Sequence, residues 1–416
     1  MVERYNHYSE NLVKYVIYFL PIFVIIGNAS INFILAVISL IYFVKCILAK
    51  QVLYNNFKEY KYFIFFYLYL FFNSFFSENI ILSLNRTIPF LKFFIFVLFT
   101  KHLLETKKIK IKVLSYIWLT ILIIFGLDIL YQSFFGYNII GYKSPMLNRN
   151  SSFFFDELVA GGFLIGFIFL IIGFQLKKLE SNNFVHFIII FFLFVIFFTG
   201  ERASFIKYIL VIFVCYLFVL GKLSNFRKLI VLLLIVISSI IFINTSSFKD
   251  RYLGSISYSP ERDLGILNNY FRSQYGSHAL SSFYILRDNL FFGVGNKNFR
   301  IACLNHKNKV IDYQKKIDPN ARVYLDGCST HPHQIYFEFL SEHGIIGTFF
   351  ILFILWKIIL NKLFSKNCSK INLLALFYII ITFIPILPSG SFFTTFNAFL
   401  FWLNYTFYIT TFKKEI

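Results

Sequence analysis

The stretch KKIKIKVLSYIWLTILIIFGLDILY, residues 107–131, joins a cluster of lysines to a long apolar run. The apolar part approaches the roughly 20 residues that an α-helix needs to cross the hydrocarbon core of a bilayer. Lysines that flank such a run favour the cytoplasmic side of the membrane. The stretch therefore predicts a transmembrane helix whose first residue lies near the cytoplasm.

The same pattern recurs along the chain of 416 residues, of which 58% are hydrophobic. A soluble domain of that length could not hide so much apolar surface from water. The sequence therefore predicts an all-α polytopic membrane protein with about twelve transmembrane helices. The apolar runs lie near residues 11–28, 30–49, 61–80, 87–104, 113–131, 158–175, 184–199, 204–220, 229–245, 344–362, 371–387 and 394–411.

Lysine clusters fall between alternate pairs of these runs, for example at 107–112, 177–178 and 413–414. This alternation predicts that both termini are cytoplasmic. The first run lacks an Ala-x-Ala-like cleavage site, so we expect it to remain as a helix. Topology also explains most of the net charge of +20, which therefore does not indicate nucleic acid.

The predicted helices divide the chain into three parts. Residues 1–244 hold helices 1 to 9, residues 245–343 form one long loop outside the cytoplasm, and residues 344–416 hold helices 10 to 12. A loop of that length exceeds ordinary connections, so we expect it to have structure of its own. Its most plausible helices are Ser277–Arg287 and Gln334–His343.

The segment CSTHPHQIYFEFLSEHGIIG, residues 328–347, places two histidines before a short helix that should stop at Gly344. His333 could act as a general base, since an ordinary histidine pKa of about 6.5 suits proton transfer near neutral pH. It could equally cap the helix or bond a backbone carbonyl. Zinc is a competing interpretation, because Cys328, His331 and His333 are all ligand types. Cys303 offers Cys328 a disulfide partner instead, and an oxidised thiol cannot bind zinc.

Arginines are the second signal. Arg202 stands in the corner TGERAS, residues 199–204, where an ionisable group must find a partner, and Glu201 is adjacent. Guanidinium groups suit a pyrophosphate, although any one of them could simply face solvent or lipid headgroups. The turn GVGNKNFR, residues 293–300, lacks the spacing of a P-loop. The long loop adds Arg272, Arg287, Arg300 and Arg322.

Five stretches, taken in order, carry a resemblance to a known family. They are DILYQSFFGYNIIG (128–141), NRNSSFFFDELVAGGFL (148–164), TGERAS, LRDNLFFGVGNKNFRIAC (286–303) and the histidine segment. Together they resemble the O-antigen ligase and O-antigen polymerase superfamily of bacterial envelope glycosyltransferases. The sequence departs from the family at Gln334, where Asn is usual, and at Glu201, where a small residue is usual.

The resemblance implies a transferase without metal or cofactor that moves a glycan from undecaprenyl pyrophosphate to an acceptor hydroxyl, inverting the anomeric carbon. The implied partners are this lipid-linked glycan, a lipid A-core or other glycan acceptor, and membrane lipids. A polymerase or a protein O-oligosaccharyltransferase of the same framework is the alternative. A lipid-linked glycan transporter belongs to a different class and would place its polar residues at mid-membrane.

The resemblance also implies site residues. His333 corresponds to the family base and Arg202 to the arginine that contacts the donor pyrophosphate. The second donor arginine corresponds to Arg272 or, failing that, to Arg287. We expect support around them from His278, Arg300, His331 and Glu338.

Overall fold

The computed structural model describes residues 2–49, 57–146, 148–178, 183–219, 265–320, 323–363, 368–385 and 387–412. Over these residues the fold is all-helical, and the only extended pairing is an isolated bridge between Tyr137 and Lys143. The predicted all-α class is therefore confirmed. The ninth apolar run, 229–245, lies outside the described residues.

The helices follow one another with short connections in the N-terminal half. In chain order they are α1 (Val2–Tyr18), α2 (Leu20–Ile26), α3 (Asn28–Ala49), α4 (Phe57–Ser74), α5 (Ile80–Thr87), α6 (Leu91–Glu105), α7 (Ile111–Phe135), α8 (Ala160–Lys178), α9 (Asn183–Phe198), α10 (Arg202–Val214), α11 (Ile266–Arg272), α12 (Gln274–Asp288), α13 (Phe299–Ala302), α14 (Lys307–Ile317), α15 (Ile335–Leu363), α16 (Lys370–Thr382) and α17 (Thr395–Ile409).

Four helical stretches in the described part of the chain are long and apolar enough to cross a membrane. They are Asn28–Leu48, Ile80–Glu105, Ile111–Phe135 and Ile335–Lys357. A fifth forms if α1 and α2 count as one span bent by 63°, with Pro21 in the first turn of α2. Shorter apolar helices lie in three further predicted runs: Ala160–Leu176, Phe184–Phe198 and Lys370–Thr382. The total of about twelve spans remains a prediction.

The end of α4 differs from the predicted run, whereas the break in α15 agrees with the sequence. The run 61–80 ends early, because α4 stops at Ser74 and the Asn79 side chain caps α5 by accepting from the Leu82 amide at 3.0 Å. The helical stretch α15 begins at Ile335 and continues past residue 344. Its backbone is non-helical at Gly344 (φ 63°), where a side chain would collide with the backbone of Phe291. The helix therefore breaks where the sequence predicted a stop.

Close helix packing around α8 builds the apolar core. A Cβ atom on Gly166 would lie 2.7 Å from the Leu400 side chain, and one on Gly173 would lie 3.0 Å from the Ile371 Cα. Small residues allow α17 and α16 to approach α8 this closely, which is how helices associate in lipid. The Asn404 amide of α17 adds a hydrogen bond to the Gly166 carbonyl at 2.8 Å.

Helices α11 to α14 form a separate polar layer that packs on the start of α15. The predicted helix Ser277–Arg287 lies within α12, which starts three residues earlier, at Gln274. This layer has a small apolar core of Ile285, Val294, Phe299, Ala302 and Cys303. A disulfide joins Cys303 to Cys328 across a Cα–Cα distance of 5.4 Å, so the layer is tied to the histidine segment.

Candidate functional site

The turn between α12 and α13 wraps around Glu342 of α15. The Glu342 carboxylate accepts hydrogen bonds from the backbone amides of Lys297 at 2.8 Å and Phe299 at 3.3 Å. Gly293 approaches the Glu342 backbone so closely that no side chain would fit, and its φ of 66° suits glycine. The segment GVGNKNFR therefore forms a turn, as the sequence predicted. The structure adds that this turn is hydrogen-bonded to α15.

An open cleft of about 300 Å³ lies between this turn, the end of α5 and the segment before α17. Three of its lining side chains are cations: Arg86, Lys297 and Arg300. A concave surface with this charge suits an anionic ligand. The complete lining is Arg86, Asn296, Lys297, Arg300, Thr330, His331, Glu342, Ser391, Phe393 and Thr394.

Two buried carboxylates hold the cleft walls on α15. Glu342 binds the turn, and Glu338, one helical turn earlier, accepts from the Ser391 hydroxyl and from the Phe392 amide at 2.8 Å. Both side chains interact electrostatically with Arg86. The described cleft is therefore a cationic surface with two buried glutamate side chains beneath it. Glu338, predicted as support, lies behind the wall that contains Ser391.

Three histidines stand at one end of the cleft. His331 lines it, the rings of His331 and His333 have centroids 4.1 Å apart, and the His278 ring stacks on His333 at 5.1 Å. Burial, reinforced by the neighbouring His333, lowers the pKa of His331 to about 3 and that of His278 to about 4. Burial also lowers the pKa of His333. All three imidazoles are therefore neutral near pH 7. Each keeps a free lone pair, but the burial that keeps it neutral also makes it a weaker base than an ordinary histidine.

The backbone near the cleft takes an uncommon conformation at two residues that are not glycine. His333 has φ 54° and Lys297 has φ 68°. Such left-handed residues cost of order 1–3 kcal/mol and persist only where the surrounding structure holds them. The His333 carbonyl is held by the Ser389 amide at 2.9 Å. The histidine segment and the turn are thus rigidly placed.

Several polar atoms of the lining are buried without a partner among the described residues. They are both amide atoms of Asn296, Nε of Arg300 and Nε2 of His331. A buried polar atom without a hydrogen bond costs roughly 1–3 kcal/mol, so native proteins usually satisfy such atoms. These atoms mark the surface on which a polar ligand would bind.

Only some of the predicted arginines line the cleft in the described part of the chain. Arg300 lines it and donates to the Thr330 carbonyl at 3.4 Å. Arg272 is buried, forms an ion pair with Asp318 at 3.5 Å and lies over the Tyr324 ring. Arg287 is exposed and pairs with the adjacent Asp288 at 3.6 Å. In the described chain neither Arg272 nor Arg287 lines the cleft, and Arg322 lies outside the described residues.

The corner that contains Arg202 lies at the start of α8. The Glu201 carboxylate accepts from the amides of Gly161 at 2.8 Å and Gly162 at 3.2 Å, which anchors the first turn of α8. Arg149 interacts electrostatically with Glu201, and the sequence argument did not include it. Arg202 begins α10 and is not among the described residues that line the cleft.

Sequence reasoning also missed Arg86, Asn296 and Lys297. Arg86 lies inside the apolar stretch Ile80–Glu105, and an ionisable residue in such a stretch is a signal of function that was available. Asn296 and Lys297 lie in the turn that was interpreted only as a connection. The sequence contains no direct signal that this turn faces Arg86.

The zinc interpretation does not fit the structure. Cys328 is bonded to Cys303, so it has no thiolate to offer. In the ranges that the structure describes, no group of three or more His, Cys, Asp or Glu side chains is arranged to hold a metal ion. The neighbouring His331 and His333 therefore have no third metal ligand from this cysteine.

The membrane-capable helices and the cleft with its cations and histidines define a helical membrane protein with a cationic cleft. Residues 187–352 match the family model described as O-antigen ligase, which confirms the resemblance to the O-antigen ligase superfamily. Over this segment the chain is similar to that family, and together with the apolar helices this similarity indicates a bacterial membrane protein. No curated protein and no solved structure matches the chain. The matched segment includes Asn296, Lys297, Arg300 and the histidines, whereas Arg86 and residues 391–394 lie outside it.

Proposed function

We propose that this protein is an O-antigen ligase-type glycosyltransferase. It moves a glycan from undecaprenyl pyrophosphate to an acceptor hydroxyl, that of lipid A-core, at the periplasmic face of the inner membrane. The observation that supports this most directly is the contact between the two halves of the site: His331 lines the same cleft as Arg86, Lys297 and Arg300. A base and an anion clamp are the two parts that this reaction needs.

The cations would stabilise the leaving group. A pyrophosphate gains negative charge as the glycosidic bond breaks, and preorganised positive groups in a partly buried site stabilise that charge. Arg86, Lys297 and Arg300 supply such groups without a metal. Arg202 remains a proposed second contact on the basis of the family resemblance. Arg272 and Arg287 are weaker candidates, since each is engaged by a carboxylate.

We keep His333 as the proposed general base, because the family resemblance assigns that role to it. A neutral imidazole can take the proton of the acceptor hydroxyl as it attacks the anomeric carbon. A single displacement of this kind inverts the anomeric configuration. His331 is the second candidate, because it is the histidine that lines the cleft.

The polymerase of the same superfamily is the second candidate function, because it uses the same donor and the same clamp. Deleting the gene and analysing envelope glycans separates the two. Loss of lipid A-linked polymer with retention of undecaprenyl-linked chains supports the ligase. Accumulation of a single capped repeat supports the polymerase, and unchanged envelope glycans would contradict both.

A further inference from the structure

Asn296 lies in the lining of the cleft, and the described part of the chain gives its buried side chain no hydrogen-bond partner. Its exposed fraction is 1%, and neither amide atom has a hydrogen-bond partner among the described residues. The backbone carbonyl of Asn296, by contrast, accepts hydrogen bonds from the Ser83 hydroxyl at 2.8 Å and from the side-chain amide of Asn298 at 3.2 Å. The backbone therefore holds Asn296 in place while its side chain remains available.

We infer that Asn296 recognises a hydroxyl or acetamido group on the sugar next to the phosphate, so that the cleft selects a glycosyl phosphate over a bare phosphate. This inference rests on the proposed function. It specifies that the cleft recognises hydroxyl or acetamido groups of the sugar in addition to the negative charge of the phosphate.

The chemistry of the lining carries this inference. A carboxamide has an acceptor oxygen and a donor nitrogen, and both are unsatisfied in Asn296. An ionised phosphate offers acceptors only, so it can satisfy the nitrogen of Asn296 but not the oxygen. Arg86, Lys297 and Arg300 are themselves donors that suit phosphate oxygens. A sugar hydroxyl both donates and accepts, so a phosphate joined to a sugar complements the whole lining.

The composition of the cleft agrees with such a ligand. The wall before α17 adds the Phe393 ring and the hydroxyls of Ser391 and Thr394. This wall provides an apolar surface and further hydroxyl groups, whereas a site for a bare anion would need charge alone.

Calorimetric binding to the purified full-length protein in nanodiscs tests the inference, with inorganic pyrophosphate and N-acetylglucosamine 1-phosphate as probes. N296A removes both amide atoms, and N296S is measured beside it so that a folding defect in one variant does not remove the test. N305A is the matched control, because Asn305 is exposed and bonds Glu78 away from the lining. We expect N296A and N296S to weaken the sugar phosphate about tenfold, with pyrophosphate binding within about twofold of wild type.

Two results would overturn the inference. If both Asn296 variants weaken the two probes equally, the residue supports the cleft and does not read the sugar. If neither variant changes either affinity, Asn296 makes no contact with the ligand. In both cases wild-type binding of pyrophosphate would leave the proposed function standing. Failure of the wild-type protein to bind either probe would contradict the anion cleft itself, and with it both proposals.

Discussion

The rings of His331 and His333 have centroids 4.1 Å apart, and His331 is the one of the two that lines the cationic cleft. Pro332 separates the two residues, and the left-handed backbone at His333 turns the chain there. Two neutral imidazoles are thus held side by side next to the anion site. Chemistry alone would allow either to accept a proton, so substitution must decide between them.

The first prediction concerns these two residues. His333→Ala should lower the transfer rate roughly a hundredfold or more while leaving donor binding nearly intact, because it removes proton abstraction. Transfer to the acceptor is measured in membranes that contain equal amounts of each variant. His331→Ala is the comparison. Wild-type transfer by the His333 variant together with loss in the His331 variant would assign the base to His331. Full activity in both would rule out a histidine base.

The histidine cluster should also make stability depend on pH. The folded pKa of His278 is lowered to about 4 by burial, next to His333, whereas in the unfolded chain it is about 6.5. The unfolded state therefore binds protons first, and stability falls as pH drops from about 6.5 towards 4. We expect His278→Phe, which keeps a ring on His333, to recover about 2 kcal/mol at pH 5 relative to pH 7. Thermal unfolding at both pH values measures this difference.

His7→Phe provides the control, because His7 is exposed on α1, away from the histidine cluster. Its stability should follow the wild-type pH dependence. An identical pH dependence for His278→Phe and wild type would contradict burial of a neutral His278.

Arg86 should be required for donor binding although it lies far from the family motifs in sequence. Arg86→Lys keeps the charge but loses the planar fork that grips a phosphate through paired hydrogen bonds. We expect donor affinity to fall about tenfold, with a similar fall in transfer rate. Arg287→Lys is the matched control, because Arg287 is exposed and pairs with Asp288. Equal losses in both variants would place the anion elsewhere.

The buried pair of Arg272 and Asp318 should act mainly on stability. Removing one member of a buried ion pair leaves the other uncompensated, at a cost of roughly 3–5 kcal/mol. Arg272→Ala and Asp318→Ala should therefore destabilise the polar layer to similar extents in hydrogen-exchange measurements. If Arg272→Ala abolishes donor binding and Asp318→Ala does not, then Arg272 contacts the pyrophosphate, as the family resemblance suggested.

The candidate site was only partly predictable from the sequence. His331, His333 and Arg300 could be named because they lie in short motifs whose chemistry is visible locally. Arg86 could not be joined to them, since 210 positions of chain, most of them helical, separate it from Asn296. Asn296 lies near Arg300 in sequence, but nothing in its local pattern shows that it lines a cleft. The pairing of Arg272 with Asp318 likewise depends on how α11 packs against α14.

By itself, the sequence determined that this is a helical membrane protein and that the helix after His333 breaks at Gly344. Both follow from local physics: the length of apolar runs relative to a bilayer, and the backbone that glycine allows. Only the tertiary structure decided that Arg86, the turn at Asn296 and His331 share one cleft. That arrangement depends on packing α5 and the turn against α15, and the energies of such contacts between distant segments cannot be read from local pattern.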